Sequence, residues 1–558
     1  MAERLIYLPL GGAGEIGMNA YVYGYGRPGK ERLILVDLGV TFGDMEASPG
    51  IDLIMPDITW LQENRDRLEA IFVTHGHEDH IGAIAHLWGR LDVPIYARKF
   101  TGRLVRLKME EMGLPAEAVN IIGPRPEVTQ LGPFNVQYVP ISHSIPESSA
   151  LIIDTPAGRI VHTGDFKLDM TPVLGDTFDP MVWQEIGAEG DGVKVLACDS
   201  TNIFSTHPGR SEALLATPIL EFVMAQKNLV VATTFASNIA RLKTLADAAR
   251  ASGRKVCLLG RAMRRMVAVG TETGVLTDFP ETIGPDDAAR LPRGEVMLIV
   301  TGSQGERRAA SAQLSRGRYL GMSLKEGDSF LFSSTTIPGN ERSVGRIQNA
   351  FSELGVDVFD AHDGFFHVSG HANRPDIEAM HDMLKPQIVI PMHGEHMHLR
   401  EHVMLARAKG MAAEIAVNGT MLELTGARPR VVDQVETGKL YLDGTVLIGA
   451  MDGVVRDRIR MALNGHAMVS VIVDEDDNAL PDAWVELMGL TGRTRGGEDL
   501  GRHIEGEISE FLERADARTV RDDGKMDEAI RKITRQVSME EIGKKPEVTV
   551  IISRLMAD

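Results

Sequence analysis

The order of apolar and polar positions divides the chain into a strand-rich first part and an alternating middle part. Up to about residue 200, apolar stretches such as LIYLPL, RLILVDLG, FNVQYVPIS and VKVLACDS end at Gly, Pro or Asp, which is typical of β-strands. Few helices are expected there, although one begins after His80, in IGAIAHLWGRL. After Asp199, strand-like and helix-like segments alternate repeatedly, which predicts a parallel sheet covered by helices.

This alternation predicts an α/β domain of residues 205–365, with helices that begin at caps such as Ser237 and Asn340. Residue types that bind metals return after about position 366, so the α/β domain is expected to be an insertion. The first domain would then comprise residues 1–204 and a return segment with linker, 366–445. We expect the chain to cross a linker near 440–460, and residues 446–558 to form a small C-terminal α+β domain.

Composition and charge narrow the possible classes. The chain has 558 residues, 43% of them hydrophobic, which suits two or three domains. Two cysteines, Cys198 and Cys257, are too few for a disulfide framework, and no signal peptide is recognised, so a cytoplasmic protein is expected. No stretch approaches the ~20 apolar residues of a membrane helix. The net charge of −19 argues mildly against nucleic-acid binding, but binding depends on how charge is distributed.

The segment THGHEDHIG carries the clearest chemical signal. It directly follows the apolar strand AIFV and contains His75, His77, Asp79 and His80. Residues two apart on an extended segment project to the same side, so His75 and His77 can bind one cation. Asp79 and His80 lie on the turn beyond and can face a second cation. The concentration of these residue types within six positions predicts a metal site.

Further candidate ligands stand at the ends of apolar strands. His143 follows VQYVPIS, Asp165 follows RIVHTG and His393 follows QIVIPM. Each is weak by itself, because a histidine at a strand end is more often an ordinary polar residue. Their shared position, after a strand and before a Gly- or Ser-containing turn, favours a common site. A set of nitrogen and oxygen ligands without thiolate suits Zn²⁺ or Mn²⁺.

A pair of cations would explain why so many ligands are present. Two cations roughly 3.5–4 Å apart lower the pKa of water toward about 7 and stabilise both the attacking and the leaving oxygen. Cleavage of a phosphodiester also develops charge on oxygens that do not bridge, which cations offset. The pattern therefore predicts a hydrolase with two divalent ions per subunit.

The motifs resemble those of a known superfamily. HxHxDH with a downstream His, Asp and His is similar to the signature of the metallo-β-lactamase superfamily, and the α/β insertion resembles its β-CASP branch, whose members cleave nucleic acids. LPLGGAGEIGMNAY, ACDSTN, FHVSGHANRPD and PMHGE resemble the bacterial ribonuclease J family over nearly the whole chain. The resemblance implies an αββα sandwich with an inserted β-CASP domain and a small C-terminal α+β domain.

The resemblance also implies a role for each matched residue. It assigns His75, His77 and His143 to one metal and Asp79, His80 and His393 to the other, with Asp165 as the bridge. The remaining matched residues are Asp37, which would support the histidines, Asp199, which would orient ligands, and His371, which would face the scissile phosphate and donate a proton to the leaving oxygen.

A small-residue loop and a helix start are the expected RNA-binding elements. Ser369, Gly370 and Ala372 flank His371 and are small, so backbone N–H groups can approach a phosphate closely. Ser237 and Asn238 begin a helix, where unpaired N–H groups favour an anion, although an ordinary cap explains Ser237 equally well. By resemblance, these elements hold single-stranded RNA with a 5′-monophosphate.

The function implied by the resemblance is a 5′-to-3′ exoribonuclease with endonuclease capacity, in mRNA decay and RNA 5′-end maturation. It would form a homodimer or homotetramer and not contact a membrane; partners in a degradation complex cannot be named. Three alternatives stay open. The first is a DNA nuclease of the same branch, since nothing in these motifs reads a 2′-hydroxyl. The others are a glyoxalase-type hydrolase and an RNA-binding subunit without catalysis.

Two motifs are expected to be misleading. Gly12 to Gly17 satisfies GxGxxG, but strands rather than a helix follow, so a glycine-rich hairpin near the active-site rim is expected instead of a dinucleotide site. His398, Glu401 and His402 satisfy the zinc-protease pattern HxxEH. They are expected on an exposed helix without further ligands.

Overall fold

A computed structural model describes residues 2–556 and divides them into two compact units. The larger unit contains the described residues up to Thr41 and those from Met55 to Lys439. The smaller unit contains Phe42–Ile54 and the residues from Leu440 onward. Among the described residues, none of the helices has both the length and the apolar character needed to span a bilayer.

Two large sheets of the larger unit enclose a common core. The first has eight strands, in the spatial order Arg430–Gln434, Thr420–Glu423, Arg4–Gly11, Ala20–Gly26, Arg32–Val36, Leu68–Phe72, Ile95–Ala97 and Val119–Ile121. The second has seven, in the order Thr129–Leu131, Phe134–Pro140, Ser149–Thr155, Gly158–His162, Val193–Asp199, Ile388–Met392 and Ala412–Ala413. Tyr7 and Phe72 of the first sheet meet Tyr138 and Ile153 of the second in this core.

Helices cover the outside of the sandwich. Trp183, Met380 and Leu405, from three helices, pack on the outer face of the seven-stranded sheet around Ile152 and Leu196. The α-helices of this domain are Thr59–Glu63, Glu78–Ile81, Ile84–Leu91, Lys99–Glu111, Pro180–Ala188, Arg374–Leu384 and His396–Ala408. This arrangement confirms the expected sandwich. The helix Lys99–Glu111 was not predicted: it buries Phe100 and Leu104 on one face, a spacing that the strand-based interpretation overlooked.

The inserted α/β domain has the expected parallel sheet. Its five strands lie in the order Lys255–Leu259, Val296–Val300, Val230–Thr233, Ser329–Phe332 and Asp357–Phe359. Its α-helices are Ala216–Ala225, Ile239–Ala251, Arg261–Thr273, Pro285–Arg290, Ala310–Ser315 and Glu341–Glu353. One expected helix start is confirmed, because Asn340 directly precedes Glu341–Glu353, and the other needs correction. Asn238, not Ser237, caps Ile239–Ala251 by accepting from the Arg241 N–H, and the Asn340 side chain makes no capping bond.

In the smaller unit, the expected linker is ordered. The range 440–460 contains the strands Lys439–Asp443 and Val446–Gly449, and the helix Val454–Asn464 begins there. The two strands share a four-stranded sheet with Leu53–Pro56 and Thr41–Phe42. A three-stranded sheet follows, in the order Trp484–Met488, His466–Val473 and Glu547–Arg554, with the helices Leu500–Arg514, Ala517–Val520 and Asp523–Ile542. The exact domain boundaries, at 204, 365 and 445, stay a prediction.

Candidate metal centre

The candidate ligands come together because parallel strands end at one edge of each sheet. Arg32–Val36 runs parallel to Leu68–Phe72, so Asp37 and His75 follow neighbouring strand ends. In the facing sheet, the strands that precede Asp165 and His393 run parallel to the strand that ends at Asp199. Seven residues spread over more than three hundred positions of sequence therefore meet at one end of the sandwich.

The first ligand cluster consists of three imidazoles and one carboxylate. One ligand atom from each of His75, His77, His143 and Asp165 lies within 4.8 Å of all the others. The Nε2 atoms of His75 and His143 both lie 3.1 Å from Nδ1 of His77. Ring nitrogens that crowd together with so few protons to share are typical of imidazoles that surround a cation.

The second ligand cluster has two carboxylates and two imidazoles. Asp79, His80, Asp165 and His393 place one ligand atom each within 4.8 Å of one another. Asp165 belongs to both clusters, and its Oδ2 lies 3.2 Å from Nε2 of His80. Its buried Oδ1 has no hydrogen-bond partner. An unpaired carboxylate oxygen at this depth is costly unless a cation binds it, so the donor set suits two cations that share Asp165.

Burial and charge give the two clusters opposite proton affinities. Burial lowers the pKa of His77 to about 4 and that of His75 and His143 well below the usual range, with neighbouring histidines adding to the effect on His75 and His143. Burial opposes charge in the second cluster too, but Asp165 and Asp199 outweigh it and raise the pKa of His393 to about 10. The pKa of Asp165 is lowered despite its burial, because His393 and His80 lie close by.

Asp37 fixes one side of this arrangement, as its motif predicts. Its carboxylate accepts from Nδ1 of His80 at 2.7 Å and from both the N–H and the hydroxyl of Thr74 at 2.8 Å. A bond to Nδ1 leaves Nε2 of His80 as the atom that faces Asp165. Asp37 holds a left-handed backbone, φ 61°, which an aspartate adopts only under constraint from its surroundings.

Two supporting residues were missed from the sequence. The Asn19 amide nitrogen lies 3.0 Å from both the Asp79 carbonyl oxygen and Nε2 of His80, and Asn19 Oδ1 accepts from the Tyr21 hydroxyl. The Thr201 hydroxyl lies 2.8 Å from Nδ1 of His393. Asn and Thr occur throughout the chain, and only the folded contacts distinguish these two; their positions within GEIGMNAY and ACDSTN were the one available signal.

Two residues of the predicted RNA-binding loop, Gly370 and His371, lie beside the ligand clusters. Nδ1 of His371 is 2.8 Å from Oδ2 of Asp199 and 3.9 Å from Oδ2 of Asp165. Gly370 offers its carbonyl to Nδ1 of His143 at 2.7 Å, and a Cβ there would lie 3.0 Å or less from atoms of His143 and Ser144. A glycine is therefore needed for the loop to approach the first cluster.

The other members of the loop are placed differently from the expectation. The Ser369 hydroxyl accepts from the Asn202 amide and from the His371 backbone N–H, so that N–H is already engaged within the loop. The Ala372 side chain is buried in the core rather than facing the site. In the residues that the structure describes, Ser237 and Asn238 share no hydrogen bond with either ligand cluster.

Family models match four consecutive parts of the chain: the Metallo-beta-lactamase superfamily over residues 14–197, the Ribonuclease J beta-CASP domain over 227–351, the Zn-dependent metallo-hydrolase RNA specificity domain over 364–417 and the Ribonuclease J C-terminal domain over 453–555. Ribonuclease J of Sinorhizobium meliloti is 38% identical over 99% of this chain and 98% of its own length. The chain belongs to the ribonuclease J family. This confirms the expected family, fold class and enzyme class, a metal-dependent hydrolytic ribonuclease.

Other similarities agree with this assignment. Ribonuclease J 1 of Streptococcus pyogenes is 37% identical over 83% of this chain and 82% of its own length. Ribonuclease J of Thermus thermophilus is 34% identical over 85% and 83%. A solved structure, a protein of unknown function from Enterococcus faecalis, matches 76% of this chain and 100% of its own with a TM-score of 0.52 and 18% identity, which is a likeness of fold alone.

The two misleading motifs are resolved within this ribonuclease J fold. The GxGxxG segment leads into the strand Ala20–Gly26, as expected, and the Gly12 carbonyl accepts from the His393 N–H at 2.7 Å. The expectation of an exposed HxxEH helix was wrong for His402. That side chain is fully buried, and its Nε2 lies 3.0 Å from Nε2 of His381 beside Cys198.

Hydrogen bonds connect most polar atoms of the buried group around His402. The Ser200 hydroxyl donates to the Cys198 carbonyl and lies 2.9 Å from Nδ1 of His402, which leaves Nε2 of His402 to accept from His381. One polar atom of the group, Nδ1 of His381, has no partner. These contacts tie the helix His396–Ala408 to the strand that carries Asp199.

Proposed function

We propose that this chain hydrolyses RNA phosphodiester bonds with two divalent cations, Zn²⁺ or Mn²⁺, bound by the seven residues of the two clusters. The observation that carries the proposal is the position of Asp165, which belongs to both ligand clusters and keeps one buried carboxylate oxygen without a hydrogen-bond partner. When bound, such a pair of cations activates water and offsets the charge that develops on the phosphate.

In this proposal, His371 and Asp199 act on the leaving group. Burial opposes the charged imidazolium, but Asp199 and Asp165 outweigh it and raise the pKa of His371. The Asp199 carboxylate accepts from Nδ1 of His371, which directs Nε2 away from Asp199. The raised pKa favours the protonated form of His371, which can give a proton to the leaving oxygen, and Asp199 stabilises that charged form.

We further propose 5′-to-3′ exonuclease action on 5′-monophosphorylated RNA, with endonuclease capacity and with roles in mRNA decay and RNA 5′-end maturation. The position of the loop of Ser369, Gly370 and His371 supports a phosphate-binding role, because the loop contacts His143 of the first cluster and also Asp199. A cytoplasmic location and a homodimer or homotetramer belong to the same proposal.

The decisive experiment compares four labelled substrates on purified protein. RNA with a 5′-monophosphate, RNA with a 5′-triphosphate, RNA with a 5′-hydroxyl and a DNA of the same sequence are each incubated with Mn²⁺ or Zn²⁺, and in parallel with a chelator. We expect the monophosphorylated RNA to be shortened fastest from its 5′ end, and all activity to cease with the chelator. Equal rates on all RNAs would remove the 5′-phosphate preference, and equal cleavage of DNA would remove RNA selectivity.

A further inference from the structure

Phe204 is unusual among the aromatic side chains of the larger unit. It is the one exposed Phe, Tyr or Trp side chain among that unit's described residues, with 51% of its surface accessible. Its neighbour Ile203 is fully buried and packs in the core beneath the loop. The chain therefore presents a large apolar ring to solvent from a well-anchored position.

The loop that carries Phe204 is bonded on one side to the predicted RNA-binding loop and on the other to the helix Arg374–Leu384 that follows it. Before it, the Asn202 amide donates to the Ser369 hydroxyl at 2.8 Å. After it, the Ser205 carbonyl accepts from the Arg374 N–H at 3.0 Å, and the Ser205 N–H donates back to the Asn202 carbonyl at 2.9 Å. The backbone that carries the ring is thus held in place, which limits the entropy lost when a ligand binds.

The ring also lies close to the second ligand cluster. Phe204 contacts His398 with ring centroids 5.3 Å apart and an interplanar angle of 61°. His398 in turn packs against Gly394, the residue after His393: a Cβ on Gly394 would lie 2.9 Å from Cβ of His398. One imidazole, that of His398, therefore separates Phe204 from the turn that carries a predicted metal ligand.

We propose that Phe204, supported by His398, is a stacking platform for a nucleobase of single-stranded RNA bound at the metal centre. This inference rests on the proposed ribonuclease function and deepens it. Stacking accepts every base, because each has a π-face, and so suits an enzyme that must pass along any sequence. It also needs no positive charge, which matters in a chain whose net charge is −19.

The test uses substitutions that separate aromatic stacking from apolar bulk. Phe204→Ala and Phe204→Leu remove the ring, Phe204→Trp keeps a ring, and Leu214→Ala removes an exposed apolar side chain elsewhere in the same unit. We expect Phe204→Ala to raise KM for single-stranded RNA about tenfold with kcat little changed. Phe204→Leu should resemble it, whereas Phe204→Trp and Leu214→Ala should behave like the unmodified protein.

Abasic RNAs identify the partner of the ring. A set of oligonucleotides, each lacking one base, is bound to chelator-treated protein, and the affinity is measured by fluorescence anisotropy. One position should weaken binding to the unmodified protein about as much as Phe204→Ala does, and should have no added effect on Phe204→Ala. A merely structural role for Phe204 would leave the effect of the missing base unchanged.

The outcomes of this test are distinguishable from a failure of the proposed function. If the unmodified protein does not cleave RNA with either metal, the proposed function fails first. If it cleaves RNA but no abasic position couples to Phe204, the stacking platform is refuted. A lower sedimentation coefficient of Phe204→Ala with unchanged RNA affinity would show that the ring contacts a second copy of the chain instead, and would also overturn the inference.

Discussion

The two ligand clusters share Asp165 but differ in how they hold their protons. The first cluster consists otherwise of His75, His77 and His143, whose buried imidazoles have lowered pKa values and are neutral near pH 7. In the second cluster, nearby carboxylates favour charged imidazoles despite burial, and they raise the pKa of His393 to about 10. Without a cation, the first cluster holds neutral imidazoles, and the second holds ion pairs.

This difference predicts two cation sites with unequal properties. Neutral imidazoles accept a cation without losing a proton, whereas the imidazolium of His393 must release one before its nitrogen can coordinate. Two sites built from similar residue types can therefore differ in pH dependence, because burial decides the protonation state in one and charge decides it in the other. Four substitution experiments test this contrast, and the shared residue should give the largest effect.

Asp165→Asn removes a charge from both proposed sites at once. An amide has one oxygen and no negative charge, so it cannot bridge two cations as a carboxylate can. We expect RNA hydrolysis to fall at least ~10³-fold, beyond the loss from a single transition-state contact, together with a loss of bound cation measured by elemental analysis. Asp154→Asn is the matched control, because Asp154 pairs with Arg159 on a neighbouring strand of the same sheet and touches neither cluster. Activity that survives in Asp165→Asn would contradict the shared-ligand proposal.

Removing one histidine from each cluster should empty one site at a time. His77→Ala affects the first cluster and His80→Ala the second, so each variant should bind one cation instead of two. We expect nuclease activity to fall about 10²–10³-fold in both, while RNA binding stays measurable, because the predicted RNA-binding loop is intact. Two cations retained in either variant, or full turnover by His80→Ala, would show that the ligand assignment is wrong.

Much of this architecture could be predicted because its signals are local or tied to strand ends. The HxHxDH segment places four candidate ligands within six positions, and the histidines and aspartate downstream each follow an apolar strand. Parallel strands align their carboxyl ends, so a pattern read along the sequence becomes proximity in space. The αββα sandwich and the inserted parallel sheet follow from the same periodicity.

What could not be predicted depends on contacts between distant segments. Asn19 and Thr201 are ordinary polar residues until folding brings them to His80 and His393. His402 is buried because one particular face of its helix packs on the sheet, which the HxxEH pattern does not specify. The cap of the helix Ile239–Ala251 shifted by one residue, from Ser237 to Asn238, because both residue types can cap and only backbone geometry selects between them.

Asn19→Ala should weaken the second site and spare the first. The Asn19 amide contacts the Asp79 carbonyl and His80, whereas the first cluster takes its support from Thr74 and Gly370. Loss of such a supporting contact typically costs 10–100-fold in metal affinity. The measurement compares cation affinities in the His77→Ala and His80→Ala backgrounds. Tyr21→Phe, which removes the hydroxyl that fixes Asn19, should act in the same direction and more weakly. An equal loss at both sites would point to a general destabilisation instead.

The smallest effect is the number of protons released per bound cation, and it bears most directly on the contrast between the clusters. In metal-free His77→Ala protein, the remaining second cluster contains His393, with a pKa of about 10, and His80, whose pKa is also raised. Each of these imidazolium groups must lose a proton before its nitrogen can bind a cation. The apparent affinity of that site should therefore rise with pH until the pH approaches these pKa values. In His80→Ala protein, the first cluster keeps His77 with a pKa of about 4, so the cation affinity of that site should be nearly independent of pH above pH 5.

Calorimetric titration of the cation in two buffers of different ionisation enthalpy counts the released protons. Equal proton release from the two variants would mean that both clusters are held in the same protonation state, and the contrast between burial and charge would be lost.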